Sequence, residues 1–161
     1  MRKLRTPSAA RVSILLVGLL FLHGMTGRAA AQGAGIRGGI SIQPDQGYFG
    51  GHFETSPLVD RLYFRPNVEV GVGDGSTLVA LNMEFVYKFP ARHLWRLYLG
   101  GGPAVNLATV DGGPNRDNRT STDGGLNLMV GAEQRKGLFF EVKVGAIDSP
   151  DVKFGVGYTF R

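Results

Sequence analysis

Along most of the chain, apolar and polar positions alternate with a period of two, the spacing of a strand with two unlike faces. The clearest run is Leu78 to Phe89, where Val79, Leu81, Met83, Phe85, Tyr87 and Phe89 share one face. Leu78, Ala80, Asn82, Glu84, Val86 and Lys88 share the other. The last segment repeats the pattern, with Val152, Phe154, Val156, Tyr158 and Phe160 set against Lys153, Gly155, Gly157 and Thr159. Read this way, the chain predicts eight strands, at 35–43, 46–54, 61–73, 77–89, 94–108, 124–134, 138–147 and 151–160. Asp74-Gly75 is a tight-hairpin signal. Arg135-Lys136-Gly137 and Asp148-Ser149-Pro150-Asp151 have turn chemistry.

Consecutive strands joined by such short turns form an antiparallel up-and-down meander, because parallel strands need long crossovers. Most segments run about nine to thirteen residues, the length a tilted strand needs to cross a bilayer. The longest and most polar connection is Asp111 to Asp123. With an even strand count and a first strand that starts in the periplasm, this connection lies outside the cell, where long loops of membrane barrels belong.

The region before the first strand reads differently. Arg2, Lys3, Arg5 and Arg11 precede an apolar stretch from Val12 to Leu22, and the small residues Ala29-Ala30-Ala31 precede Gln32. That order is a cleavable secretory signal, and its apolar part is too short to be a transmembrane helix. The expected organisation is a signal peptide over 1–31 and a barrel domain over 32–161. Cysteine is absent, so neither acylation at cysteine nor disulfide chemistry applies.

Charge changes the picture once the signal is set aside. Five of the 18 basic residues (Arg2, Lys3, Arg5, Arg11, Arg28) lie in it, and all 13 acids lie beyond it, so the remainder carries 13 − 13 = 0. A nucleic-acid partner recognised through excess positive charge is therefore not expected.

Alternation alone leaves open which face points inward. A soluble lipocalin-type barrel turns its apolar face in, and a membrane barrel turns it out. The polar face decides. It carries Arg65, Glu69, Glu84, Lys88, Arg96, Glu133, Glu141, Lys143 and Lys153, interleaved with glycines such as Gly71, Gly100, Gly131, Gly155 and Gly157. Glycine weakens a solvated strand and packs nothing there. In a narrow lumen it makes room beside long charged side chains that pair with one another. All five glutamates, Glu54 included, fall on this face, and the other face has aromatics near segment ends, as an interfacial girdle requires. The reading is an eight-stranded transmembrane β-barrel with lipid outside and an ion-pair network inside. Pro66 and Pro103 fall mid-segment and cannot donate ladder hydrogen bonds, so a bulge or a missing bond is expected at each.

Arg65-Pro66-Asn67-Val68-Glu69-Val70-Gly71, Tyr98-Leu99-Gly100-Gly101-Gly102-Pro103-Ala104 and the terminal Phe154-Gly155-Val156-Gly157-Tyr158-Thr159-Phe160 resemble segments of the bacterial outer-membrane barrels of the OmpA-like and opacity-type family. The resemblance implies residence in the outer membrane. It also implies that Val156, Tyr158 and Phe160 present a signal to the outer-membrane insertion machinery. This chain departs from the usual final aromatic by ending with Arg161.

An eight-stranded barrel is only wide enough for side chains to fill it, whereas a diffusion porin needs about sixteen strands. The expected function is therefore a structural or surface one, without enzymatic activity. A lipid A-modifying enzyme is one alternative. It would need a serine beside a base, yet Ser41 lies at the far end of the barrel from His52 and His93. A soluble lipocalin-like binder is the other. No cofactor or metal is expected: the glycine run Gly71 to Gly75 opens no helix, and Asp111, Asn115, Asp117 and Asp123 lack calcium-loop spacing. The expected partners are outer-membrane lipid and the insertion machinery, with weak extracellular contacts through 111–123.

Overall fold

The computed structural model describes residues 33–73, 75–91, 93–110, 119–147 and 151–161. The signal expected over 1–31 lies outside the described residues. Eight strands follow one another: β1 (Gly33–Ile42), β2 (Gln46–Glu54), β3 (Leu62–Gly73), β4 (Ser76–Lys88), β5 (Trp95–Val110), β6 (Arg119–Gln134), β7 (Leu138–Ile147) and β8 (Val152–Thr159). Each pairs antiparallel with its sequence neighbour, and β1 pairs with β8 from Gly35↔Thr159 to Ile42↔Val152, so the sheet closes into a barrel. Closure removes the sheet edges that would otherwise expose unpaired backbone groups. The tight hairpin between β3 and β4 turns on Gly75, whose φ of 65° is open to glycine without a Cβ penalty.

One boundary moves appreciably. The fifth strand runs on to Val110 and the sixth begins at Arg119 rather than at 124, so the loop expected over 111–123 shrinks to 111–118, which lies outside the described residues. The extra residues Thr120, Ser121 and Thr122 include two β-branched side chains that suit a strand, and the Thr109 and Thr120 hydroxyls lie 3.3 Å apart across the pair. Pairing of β6 with β7 starts only at Leu126↔Ile147, where the register also shifts, so the start of β6 stands beyond the barrel wall. The connections at this end span 43–45, 74–75, 111–118 and 148–151, while those at the other end span 55–61, 89–94 and 135–137. The usual contrast of long outer loops and short inner turns is therefore weak in this barrel.

Both prolines sit where a ladder is interrupted. Pairing of β4 with β5 stops at Asn82↔Ala104 and resumes at Phe85↔Gly101, leaving Pro103 out without a change of register. Pairing of β2 with β3 ends at His52↔Asn67, one residue short of Pro66. Each proline keeps its place in the other ladder, opposite Leu126 and Met83 respectively.

Burial is inverted relative to a water-soluble barrel. Among the described residues, eighteen polar or charged side chains are buried against eight apolar ones, while Ile36, Phe49, Leu97 and Ile147 are each at least 60% exposed on the outer wall. That wall carries four aromatic pairs: Phe64–Phe85, Tyr87–Phe89, Trp95–Phe140 and Tyr158–Phe160, with ring centroids 5.2 to 5.7 Å apart. All four lie toward the end that carries the 55–61, 89–94 and 135–137 connections.

Candidate functional site in the barrel lumen

The period-two geometry sends every second residue of each strand inward, and the ionic residues follow that parity around the barrel. Two clusters result. Toward the end that holds the 55–61, 89–94 and 135–137 connections, Glu54 accepts hydrogen bonds from Arg65 Nη2 and Lys88 Nζ, each at 2.6 Å. Lys88 also reaches Glu133 at 3.0 Å, and Arg96 pairs with the same carboxylate through Nε at 2.9 Å and through Nη2. Arg161 closes this cluster by donating to both Glu54 and Glu133 at 3.1 Å.

The second cluster is centred higher in the lumen. Lys143 Nζ lies 2.6 Å from both Glu69 and Glu84, Lys153 Nζ lies 2.9 Å from Glu69, and Arg37 Nη1 lies 3.0 Å from Glu141 and 3.3 Å from Glu69. Arg65 Nη1 approaches Glu141 at 3.9 Å and so links the two clusters. All nine ionic residues singled out in the sequence face the lumen, with Arg96 at its mouth.

Burial decides how the charges balance. Arg37, Arg65, Lys88, Lys143 and Lys153 have side chains at most 5% exposed, matching Glu54, Glu69, Glu84, Glu133 and Glu141 in number. Arg96 and Arg161, 27% and 32% exposed, sit at the wet mouth. An enclosed charge without a partner would be costly in a low-dielectric interior, and five cations against five carboxylates leave none in excess.

The neutral part of the lumen is filled as well. Asn127 donates to Asn82 at 2.8 Å and Asn82 to Asn67 at 2.7 Å, a side-chain chain that crosses from β6 to β3. Tyr98 and Phe139 are fully buried, and Tyr98 donates to Glu141 at 3.0 Å. Each of these rings lies over a glycine directly across the ladder, Tyr98 over Gly131 and Phe139 over Gly157, and a Cβ on either glycine would run into the ring. The interior glycines thus make room chiefly for rings, with the guanidinium carbons of Arg65 and Arg37 then 5.4 and 5.6 Å from the Phe139 centroid. A cavity lined by Ser41, Gln46, Tyr48 and Lys153 among others measures about 10 Å³. That is room for roughly one water.

Arg37 and the inward return of Arg161 are the members of the network that the sequence reading missed. The signal for Arg37 was present: Ile36, Ile40 and Ile42 fix the outward parity of β1, and Arg37 has the opposite one. Arg161 continues the inward parity of Thr159, past the outward Phe160. Val156, Tyr158 and Phe160 stand on the outer wall, 39 to 54% exposed. The imidazole of His52 meets Thr159 Oγ1 at 2.9 Å inside the lumen, and Ser41 donates instead to the Pro44 carbonyl at 2.6 Å.

No protein-family model and no curated protein matches this chain. Solved structures do. The crystal structure of the N-terminal β-barrel domain of Pseudomonas aeruginosa OprF superposes with a TM-score of 0.58 at 14% identity, over 80% of this chain and 97% of that one. The crystal structure of Neisserial surface protein A superposes with a TM-score of 0.59 at 13% identity, over 80% of this chain and 94% of that one. The chain therefore has the eight-stranded antiparallel barrel fold of these two proteins.

Proposed function

We propose that the chain is a non-enzymatic outer-membrane barrel with a structural or surface role, whose lumen is sealed by its own ion pairs. The single observation that carries this reading is the inverted burial: lysines, arginines and glutamates inside, leucines, valines and aromatics outside. Water offers nothing to that outer wall, whereas hydrocarbon does. A closed strand cylinder also satisfies its backbone without solvent, which a bilayer demands. A soluble lipocalin-like barrel would need the opposite arrangement, with an apolar interior. Export by a cleaved signal and insertion guided by Val156, Tyr158 and Phe160 belong to the same reading.

The filled lumen argues against passive diffusion. Catalysis on lipid has little support, since the imidazole–hydroxyl pair of His52 and Thr159 is buried inside the barrel, away from any acyl chain. The test combines cell fractionation with gel mobility. An outer-membrane pool whose boiled and unboiled bands migrate differently is the expected result, and a soluble periplasmic pool overturns the reading. Planar-bilayer recording is expected to find no large steady conductance, and an unchanged lipid A mass profile is expected on expression.

A further inference from the structure

The two ends of the barrel are unlike in charge. At the end that bears the 55–61, 89–94 and 135–137 connections stand Arg61, Arg96, Arg135, Lys136 and Arg161, and among the described residues there Asp60 is the one acid on the surface. Glu54 and Glu133 are withdrawn into the lumen, so this rim carries 5 − 1 = 4 positive charges. At the opposite end the described surface charges are Asp45, Asp123 and Asp151 against Arg119, a balance of 1 − 3 = −2. The outer wall is biased the same way: its four aromatic pairs lie just below the basic rim, against the single rings Phe49 and Phe154 toward the other end.

Aromatic rings settle at the headgroup level of a bilayer. Cations one turn beyond them stand where phosphates are, and long basic side chains reach that level with their stems in hydrocarbon. The register makes one contact point concrete. Trp95 pairs with Gln134, and the exposed Arg135 and Lys136 follow directly in the turn. Trp95 is also the only tryptophan of the chain.

We propose that this basic rim and the aromatic band beneath it form a collar that selects anionic glycerophospholipid headgroups, with Arg135 and Lys136 beside Trp95 as its principal contact. The proposal rests on the membrane reading above. With a periplasmic start, the collar faces the phospholipid leaflet of the outer membrane.

Trp95 reports on its own lipid neighbours. The barrel is refolded into phosphatidylcholine vesicles that contain either brominated phosphatidylcholine or brominated phosphatidylglycerol, and quenching of Trp95 is followed against mole fraction. The expected preference for the anionic lipid is about fivefold if one of the two cations engages and about thirtyfold if both do. It should fall with added salt and collapse in the double variant Arg135→Gln/Lys136→Gln, whose insertion is verified by its heat-shifted band. Equal quenching by the two lipids in the inserted wild type overturns the collar and leaves the membrane barrel standing. A preference that survives in the double variant overturns its assignment to Arg135 and Lys136. Absence of quenching by either lipid overturns the membrane reading together with the collar.

Discussion

Lys143 on β7 and Glu69 on β3 meet at 2.6 Å across the lumen, 74 residues apart in sequence and on strands that share no ladder. Lys143 also lies 2.6 Å from Glu84 and 3.7 Å from Glu141. Removing this ammonium leaves one enclosed carboxylate in excess and takes from the fully enclosed Glu84 its closest cation, leaving it Arg37 at 3.5 Å, while Glu69 keeps Lys153 and Arg37. Lys143→Met should therefore cost about 3–5 kcal/mol, the range for breaking a buried pair from one side. Denaturant unfolding in detergent micelles measures it. A loss below about 1 kcal/mol would mean that the carboxylates are hydrated and the lumen is wetter than its burial implies.

Arg161 offers a contrast within the same network. It bonds Glu54 and Glu133 at 3.1 Å, but its side chain is 32% exposed at the mouth. Both carboxylates retain Lys88 when it is lost. Arg161→Gln should cost at most about 1 kcal/mol, because solvent screens what the enclosed pairs feel in full. The two variants measured side by side thus rank enclosure against contact number.

The β4 segment shows how far the sequence reaches. From Val79 to Phe89 every apolar residue of the stronger face points outward, and Glu84 and Lys88 point inward, since strand parity is strictly local. The same parity was available for Arg37 but was obscured by the glycines around it. Which partner each charge takes is another matter. Arg37 reaches Glu141 and Glu69, and Lys143 reaches Glu84, only because closure brings non-adjacent strands face to face. No local pattern encodes that distance. The inward rings follow local parity too, Phe139 from Glu141 and Tyr98 from Arg96, but which glycine makes room for each, Gly157 and Gly131, is set by the ladder register.

Gly131 tests that last point. A Cβ there would strike the Tyr98 ring and come within 2.6 Å of the Phe140 carbonyl oxygen. Gly131→Ala should destabilise the barrel by about 1–3 kcal/mol, as overpacking of a filled interior does. In the background of Tyr98→Ala the same change should cost less, because the ring is gone and only the backbone contact remains. A double-mutant cycle by denaturant unfolding reads the coupling. Strict additivity would show that ring and glycine do not share space.

The sharpest discrimination between lipid and water on the outer wall comes from two leucines of nearly equal exposure. Leu128 on β6 is 56% exposed in the barrel wall, and Leu58 is 53% exposed in the connection between β2 and β3. In water an arginine at either site would be tolerated, since surface changes remain within about 0.5 kcal/mol. In a bilayer the two diverge. Arginine on the lipid face costs about 2–4 kcal/mol near the midplane and little beyond the interface. Leu128→Arg should therefore lower folding stability in lipid vesicles by several tenfold steps in equilibrium constant, while Leu58→Arg leaves it nearly unchanged. Reversible denaturant titrations read by Trp95 fluorescence give both values. Equal, small losses would place the wall in water and reverse the inside–outside assignment on which the lumen network depends.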